Sequence, residues 1–256
     1  MSVEQKGWIE ERMRWLQREF GSNRTEVPVL QPTLSIFPRP WNGTPGECEE
    51  LLGHLCEYME VPRTGVRVNF YRGTQDPLRF HMPAYESSES GTAGMYHGRT
   101  VDGVFIISIA AEQIARPAAL VATICHELGH VLLLGGDRLP PGEVDHEPLT
   151  DLLAIYFGAG IFMANAAFDF EQWQNGRTQG WRTSRHGYLS EEELAYALAC
   201  YAWLRGEADP SWRRHLAGNI TPYFNDAVHF IATTGDVSLL RDASRDAEKA
   251  SLARSA

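Results

Sequence analysis

Residues 117–134 read PAALVATICHELGHVLLL, and this stretch decides the fold. It is apolar on almost every side, yet it carries two histidines four residues apart, His126 and His130. Positions i and i+4 share one face of an α-helix, so both imidazoles can face a single metal ion. Glu127 falls on the adjoining edge, within reach of a water on that ion. Pro117 suits the first helical turn, where a missing N–H costs nothing, and Gly135-Gly136 is expected to stop the helix. Upstream, Val104-Phe105-Ile106-Ile107-Ser108-Ile109 is a β-branched and aromatic run behind Asp102-Gly103, which reads as a buried strand.

A strand feeding a buried helix that carries H-E-x-x-H resembles the core of the zincin metallopeptidases. The resemblance implies an α+β, zincin-like fold: a small mixed sheet, the metal-site helix, then an all-helical C-terminal half. It also implies a catalytic Zn2+ held by three protein ligands. A metzincin would continue with a glycine at position 133 and a histidine at position 136, where this chain has Leu133 and Gly136.

Asp137, His146 and Glu147 compete for the third ligand position. Glu147-Pro148-Leu149-Thr150-Asp151 has E-x-x-x-D form and opens an apolar helix. This resembles the gluzincins, among them thermolysin and the CAAX-prenyl-protease type. By that resemblance His126, His130 and Glu147 bind the metal, and Asp151 holds the Nδ1 of His126. The i, i+4 spacing puts Glu147 and Asp151 on one helix face, and such a carboxylate fixes the histidine tautomer. Asp137 sits beside the Gly-Gly turn, and His146 has Thr150 at i+4 where Glu147 has Asp151.

The resemblance gives Glu127 the role of general base toward a zinc-activated water. A second electrophile for the oxyanion is expected from the C-terminal half. Tyr188 is the choice, with His186 and Tyr156 as alternatives. The implied function is a zinc metallopeptidase acting on a peptide or protein. The alternative is a catalytically idle zincin-fold module that binds zinc and recognises a protein partner; an intact Glu127 speaks against it, because a structural zinc requires no base.

Composition sets the outer bounds. A chain of 256 residues buries a substantial core. A net charge of −10 argues against a nucleic-acid partner, which demands a basic footprint. Met1-Ser2-Val3-Glu4-Gln5-Lys6 leads into charged residues without an apolar signal core. Cys48, Cys56, Cys125 and Cys200 form no C-x-x-C pair and read as small buried thiols of a cytoplasmic protein. Residues 152–168 are nearly all apolar but too short for a membrane span of about 20 residues, so a buried core helix is expected.

The chain divides by pattern into residues 1–45, an N-terminal helix (2–20) and a Pro-rich connector; 46–136, the α/β half; 137–235, the helical half with the third ligand; and 236–256, a charged tail. Thr44-Pro45-Gly46-Glu47 and Ser190 with Glu193 read as capping boxes. Val66–Tyr71 alternates as a strand, a second strand is expected near Thr92–Tyr96 and a turn at His97-Gly98. The resemblance to the zincins implies that the strand around Ala93–His97 is the sheet edge lining the cleft, where a zincin substrate adds as an extra strand. Helices are expected near 148–168, 190–205, 210–218 and 221–233.

Overall fold

The Val104–Ile109 run forms the central strand of a three-stranded sheet, β3, spanning Phe105–Ala110. A computed structural model describes residues 1–34, 36–37, 39–72, 93–140, 142–175 and 189–239, with backbone alone over 168–175. β1 (Val66–Tyr71) runs parallel to β3, with Val66 opposite Phe105 and Tyr71 opposite Ala110. β2 (Gly94–Arg99) runs antiparallel on the other side, with Gly94 opposite Ile109 and Tyr96 opposite Ile107. Among the described residues, the order β1-β3-β2 makes a small mixed sheet with β2 as an outer strand. With the helices described below, the architecture is α+β.

The second strand is longer than the sequence pattern indicates. The expected turn at His97-Gly98 is instead a bulge: the pairing shifts between Tyr96 and Arg99, so two residues of β2 face one of β3. Gly98 takes φ +85° there, a conformation that costs glycine nothing. The turn proper comes later, where Thr100 N–H donates to the Val104 carbonyl at 2.8 Å and Gly103 N–H to the Thr100 carbonyl at 2.9 Å.

α2 (Pro45–Tyr58) packs on α3 (Pro117–Leu133), and α3 packs on this sheet. α2 starts with the expected box: Thr44 accepts from the Glu47 N–H, and the Glu47 carboxylate accepts from the Thr44 N–H at 2.9 Å. Its inner face buries Cys48, Leu51, Leu52, Leu55 and Cys56. α3 begins at Pro117 and buries residues all along its length. The expected glycine stop is realised differently. Leu134 closes the last turn on the His130 carbonyl at 2.8 Å, and the left-handed residue is Asp137, at φ +54°. Gly135 is required by space instead, because a Cβ there would collide with the Phe105 ring.

The chain folds into two compact units, and neither is continuous in sequence. The unit just described comprises Gln31–Asp151 and Ala166–Tyr188, and so takes in the first turns of α4 (His146–Ala154). The other comprises Met1–Leu30, Leu152–Asn165 and Leu189–Ala256. It contains α1 (Val3–Phe20), whose Ile9, Met13 and Leu16 are buried. The segment expected as one helix over 148–168 is interrupted in this unit. A wide turn over Ile155–Ala159, with Gly158 at φ +98°, separates α4 from α5 (Gly160–Asn175). The break is bonded: Leu30 N–H reaches the Gly158 carbonyl at 3.0 Å and Arg24 the Phe157 carbonyl at 3.2 Å. The stretch His146–Ala167 is long and apolar enough to cross a membrane by length and composition, yet 94% of its most apolar window is buried. α6 (Glu191–Leu204) opens with the Ser190–Glu193 box. α7 (Ile220–Thr234) ends at left-handed Gly235. The helix expected near 210–218 is a short 3₁₀ turn, Ser211–His215. All four cysteines are buried and none forms a disulfide.

A buried carboxylate ties this helical unit together. Glu10 on α1 accepts from Lys6 (2.8 Å), from the Tyr196 hydroxyl on α6 (2.5 Å) and from the Ser238 N–H (2.9 Å). Burial alone would raise its pKa, but these donors outweigh that and bring it down to about 2. Because the folded-state value lies below the unfolded one, Glu10 stabilises the protein above about pH 4.5, and that contribution is lost as pH falls toward 2. Glu10→Gln should therefore cost on the order of 1–3 kcal/mol near neutral pH. In denaturant titrations its difference from wild type should shrink steadily below pH 4.5.

Candidate metal centre

The site is built from one turn of α3 and one turn of α4. His126 and His130 lie on the same face of α3, and both are buried. Glu147 stands in the first turn of α4. One atom of each converges: His126 Nε2 and His130 Nε2 are 3.1 Å apart, and Glu147 Oε2 is 3.1 Å from the first and 3.4 Å from the second. Zinc bonds of about 2.0–2.1 Å in tetrahedral arrangement place neighbouring ligand atoms roughly 3.3–3.4 Å apart. The three donor atoms therefore already form one face of such a tetrahedron. Among the described residues these three form the group able to hold a metal ion, and Asp137 and His146 fall outside it.

Asp151, one turn after Glu147, accepts from His126 Nδ1 at 2.8 Å and is itself buried. That bond leaves the Nε2 of His126 directed at the other two donors. Burial disfavours the charged imidazole, but the hydrogen bonds to Asp151 and Glu147 overcome this and raise the His126 pKa well above its usual value. Glu147 mirrors it: burial pushes its carboxyl up, but His130 and His126 hold it far below the usual carboxylate range. The corner is arranged to hold positive charge.

Glu127 occupies the neighbouring edge and is buried. Its Oε2 has no hydrogen-bond partner among the described residues. Burial pushes its carboxyl up to about 8; His126 opposes this and Glu147 reinforces it. A divalent cation on the three donors adds positive charge beside it and draws that value back down. A buried carboxylate with one unpartnered oxygen thus stands next to an N2O donor triangle, a donor set that suits zinc among other metals.

The sheet shapes this edge from the other side. A Cβ on Gly94 would lie 2.5 Å from Glu127 Oε1 and 2.7 Å from Thr123 Cγ2, so only glycine lets β2 pass so close to α3. Two residues along, the Tyr96 ring stacks on His130, with centroids 5.9 Å apart and planes 25° apart. Sequence reasoning reaches neither contact, because both depend on which β2 residues cross α3. Thr150 is a third addition: its Oγ1 lies 3.3 Å from His130 Nδ1. Its position three residues after Glu147, on the same helix face, is the signal that could have found it.

Of the candidates for an oxyanion partner, Tyr188 and His186 lie outside the described residues. Tyr156 donates its hydroxyl proton to the Gly21 carbonyl at 2.8 Å. Cys125, beside His126, is wholly buried, which pushes its thiol far up and keeps it protonated.

The approach of β2 to Glu127 is testable. Gly94→Ala should destabilise the protein by about 1–3 kcal/mol through overpacking. In a Glu127→Ala background the cost should fall, because two of the three nearest obstructing atoms belong to Glu127. Equal costs in the two backgrounds, measured by chemical denaturation, would show that the contact is not made. No family model matches the chain, and neither does any curated protein or solved structure.

Proposed function

We propose that this chain is a zinc-dependent metallopeptidase of the zincin type, with the gluzincin ligand set His126, His130 and Glu147. The observation that carries the reading is Glu127, a buried carboxylate with an unpartnered oxygen at the edge of the donor triangle. A site serving only to hold a structural metal has no use for such a group, because burying a carboxylate oxygen without a partner is costly. The zinc, when bound, supplies Lewis acidity, lowering the pKa of water and polarising a carbonyl.

The remaining work falls to the chain. Glu127 takes a proton from the attacking water as its oxygen bonds to the peptide carbon, and returns that proton to the amide nitrogen as the C–N bond breaks. Asp151 keeps His126 in the Nδ1–H form throughout. An extended peptide running along the outer strand β2 would meet Glu127 beside Gly94, where a Cβ would lie 2.5 Å from Glu127 Oε1. The net charge of −10 speaks against a strongly anionic substrate. Four buried thiols without a disulfide accord with a cytoplasmic setting.

Zinc content and peptide cleavage are separable measurements. Glu127→Gln should retain close to one zinc per chain and lose at least about 100-fold in hydrolysis, the size expected for removal of a general base. Glu147→Ala should lose zinc. Zinc at about a thousand times its Kd should stabilise wild type by roughly 4 kcal/mol and leave Glu147→Ala unmoved. Cleavage-site profiling of a whole proteome with wild type and Glu127→Gln identifies the substrate. Zinc binding with no cleavage dependent on Glu127 would refute the peptidase reading and leave a zinc-holding recognition module.

A further inference from the structure

The two histidines are held by unlike partners. His126 gives its Nδ1 proton to a carboxylate, Asp151. His130 has a hydroxyl instead, Thr150 Oγ1 at 3.3 Å from its Nδ1. Thr150 is completely buried. Its hydroxyl carries a single proton, and two acceptors compete for it: Thr150 Oγ1 also lies 2.7 Å from the His146 carbonyl oxygen. A carbonyl can only accept, and two oxygens 2.7 Å apart repel each other unless a proton lies between them. The Thr150 proton therefore goes to His146, and what Thr150 turns toward His130 is a lone pair.

We propose that Thr150 is a positioning residue that fixes His130 as the Nδ1–H tautomer, through a one-way relay from His130 Nδ1–H to Thr150 Oγ1 and from Thr150 Oγ1–H to the His146 carbonyl. The neutral imidazole has one proton, so placing it on Nδ1 leaves the Nε2 lone pair directed at His126 Nε2 and Glu147 Oε2. The relay ends on the backbone of the residue before Glu147, so the turn of α4 that supplies the third donor also sets the tautomer of the second. The neighbouring residue Asp151 does the same for His126, and the two histidines are thus oriented from adjacent positions of one helix. Tyr96, stacked on the His130 ring, restrains its plane but not its proton. The purpose assigned to the relay rests on the metal-centre reading given above; the tautomer does not.

Thr150→Val removes the hydroxyl at nearly the same volume, and Thr150→Ser restores it. The tautomer is read from ring 15N shifts and couplings of His130, in chelator-treated protein at a pH where the ring is neutral. Zinc affinity is measured by competition with a chromogenic chelator. Wild type and Thr150→Ser should show Nδ1–H, and Thr150→Val should lose that preference and bind zinc about 10–100-fold more weakly. An Nε2–H ring in wild type overturns the proposal, and this holds even should Thr150→Val fail to fold. An unchanged tautomer and zinc affinity in a folded Thr150→Val overturn it equally. Should wild type bind no zinc while the tautomer still follows the hydroxyl, the metal-centre reading falls and the relay stands.

Discussion

The site depends on one buried hydrogen bond, from His126 Nδ1 to Asp151 at 2.8 Å. Both groups are almost wholly shielded from water. A carboxylate in such a place is costly unless it is partnered, and removing either member leaves the other stranded. The bond therefore acts as a register pin between α3 and α4. Once Asp151 meets His126, the helical repeat places Glu147 a turn earlier, beside both Nε2 atoms, and Thr150 beside His130. Three contacts follow from one alignment.

The sheet serves this pair of helices by coming close to them. Strand β2 passes α3 at a glycine, lays an aromatic ring on His130, and then bulges at Gly98 before returning as β3. Phe105 on β3 reaches in turn to the end of α3, where only glycine fits at Gly135. Two of the molecule's glycines are thus defined by approach distance, at Gly94 and Gly135, and their backbone angles are ordinary. The result is a buried carboxylate, Glu127, enclosed between a helix and a strand.

Much of this is legible in the sequence because it is periodic or locally capped. The i, i+4 spacing of His126 and His130, and of Glu147 and Asp151, is a property of one helix at a time, and the capping boxes at Thr44 and Ser190 are local too. What escapes a sequence reading is what two elements decide jointly. Thr150 reads as an ordinary helical threonine until α4 is set against α3. Gly94 reads as a strand glycine until Glu127 lies beneath it. The bulge at His97-Gly98 carries turn-forming residues, and tertiary pairing with Phe105 turns them into strand. The break at Gly158 is hidden by an apolar run, since hydropathy does not register a positive φ. The Glu10 cluster joins residues more than 180 positions apart, beyond any local pattern.

The two helices that make the centre differ in how they tolerate changes in chain length. The segment from Leu134 to Asp145 is packed at its start, where Gly135 meets Phe105 and Leu139 is buried, but lengthening it at exposed Gly142 or Val144 costs little, about 0.6 kcal/mol for each doubling. Within α4 the situation is reversed. One residue inserted between Glu147 and Thr150 rotates the carboxylate by about 100° relative to Thr150 and Asp151, and the triangle of donors opens while both histidines stay in place. Length variation among descendants of this chain should thus gather in the connector and spare five consecutive positions, 147–151, whose value lies in their spacing as much as in their chemistry.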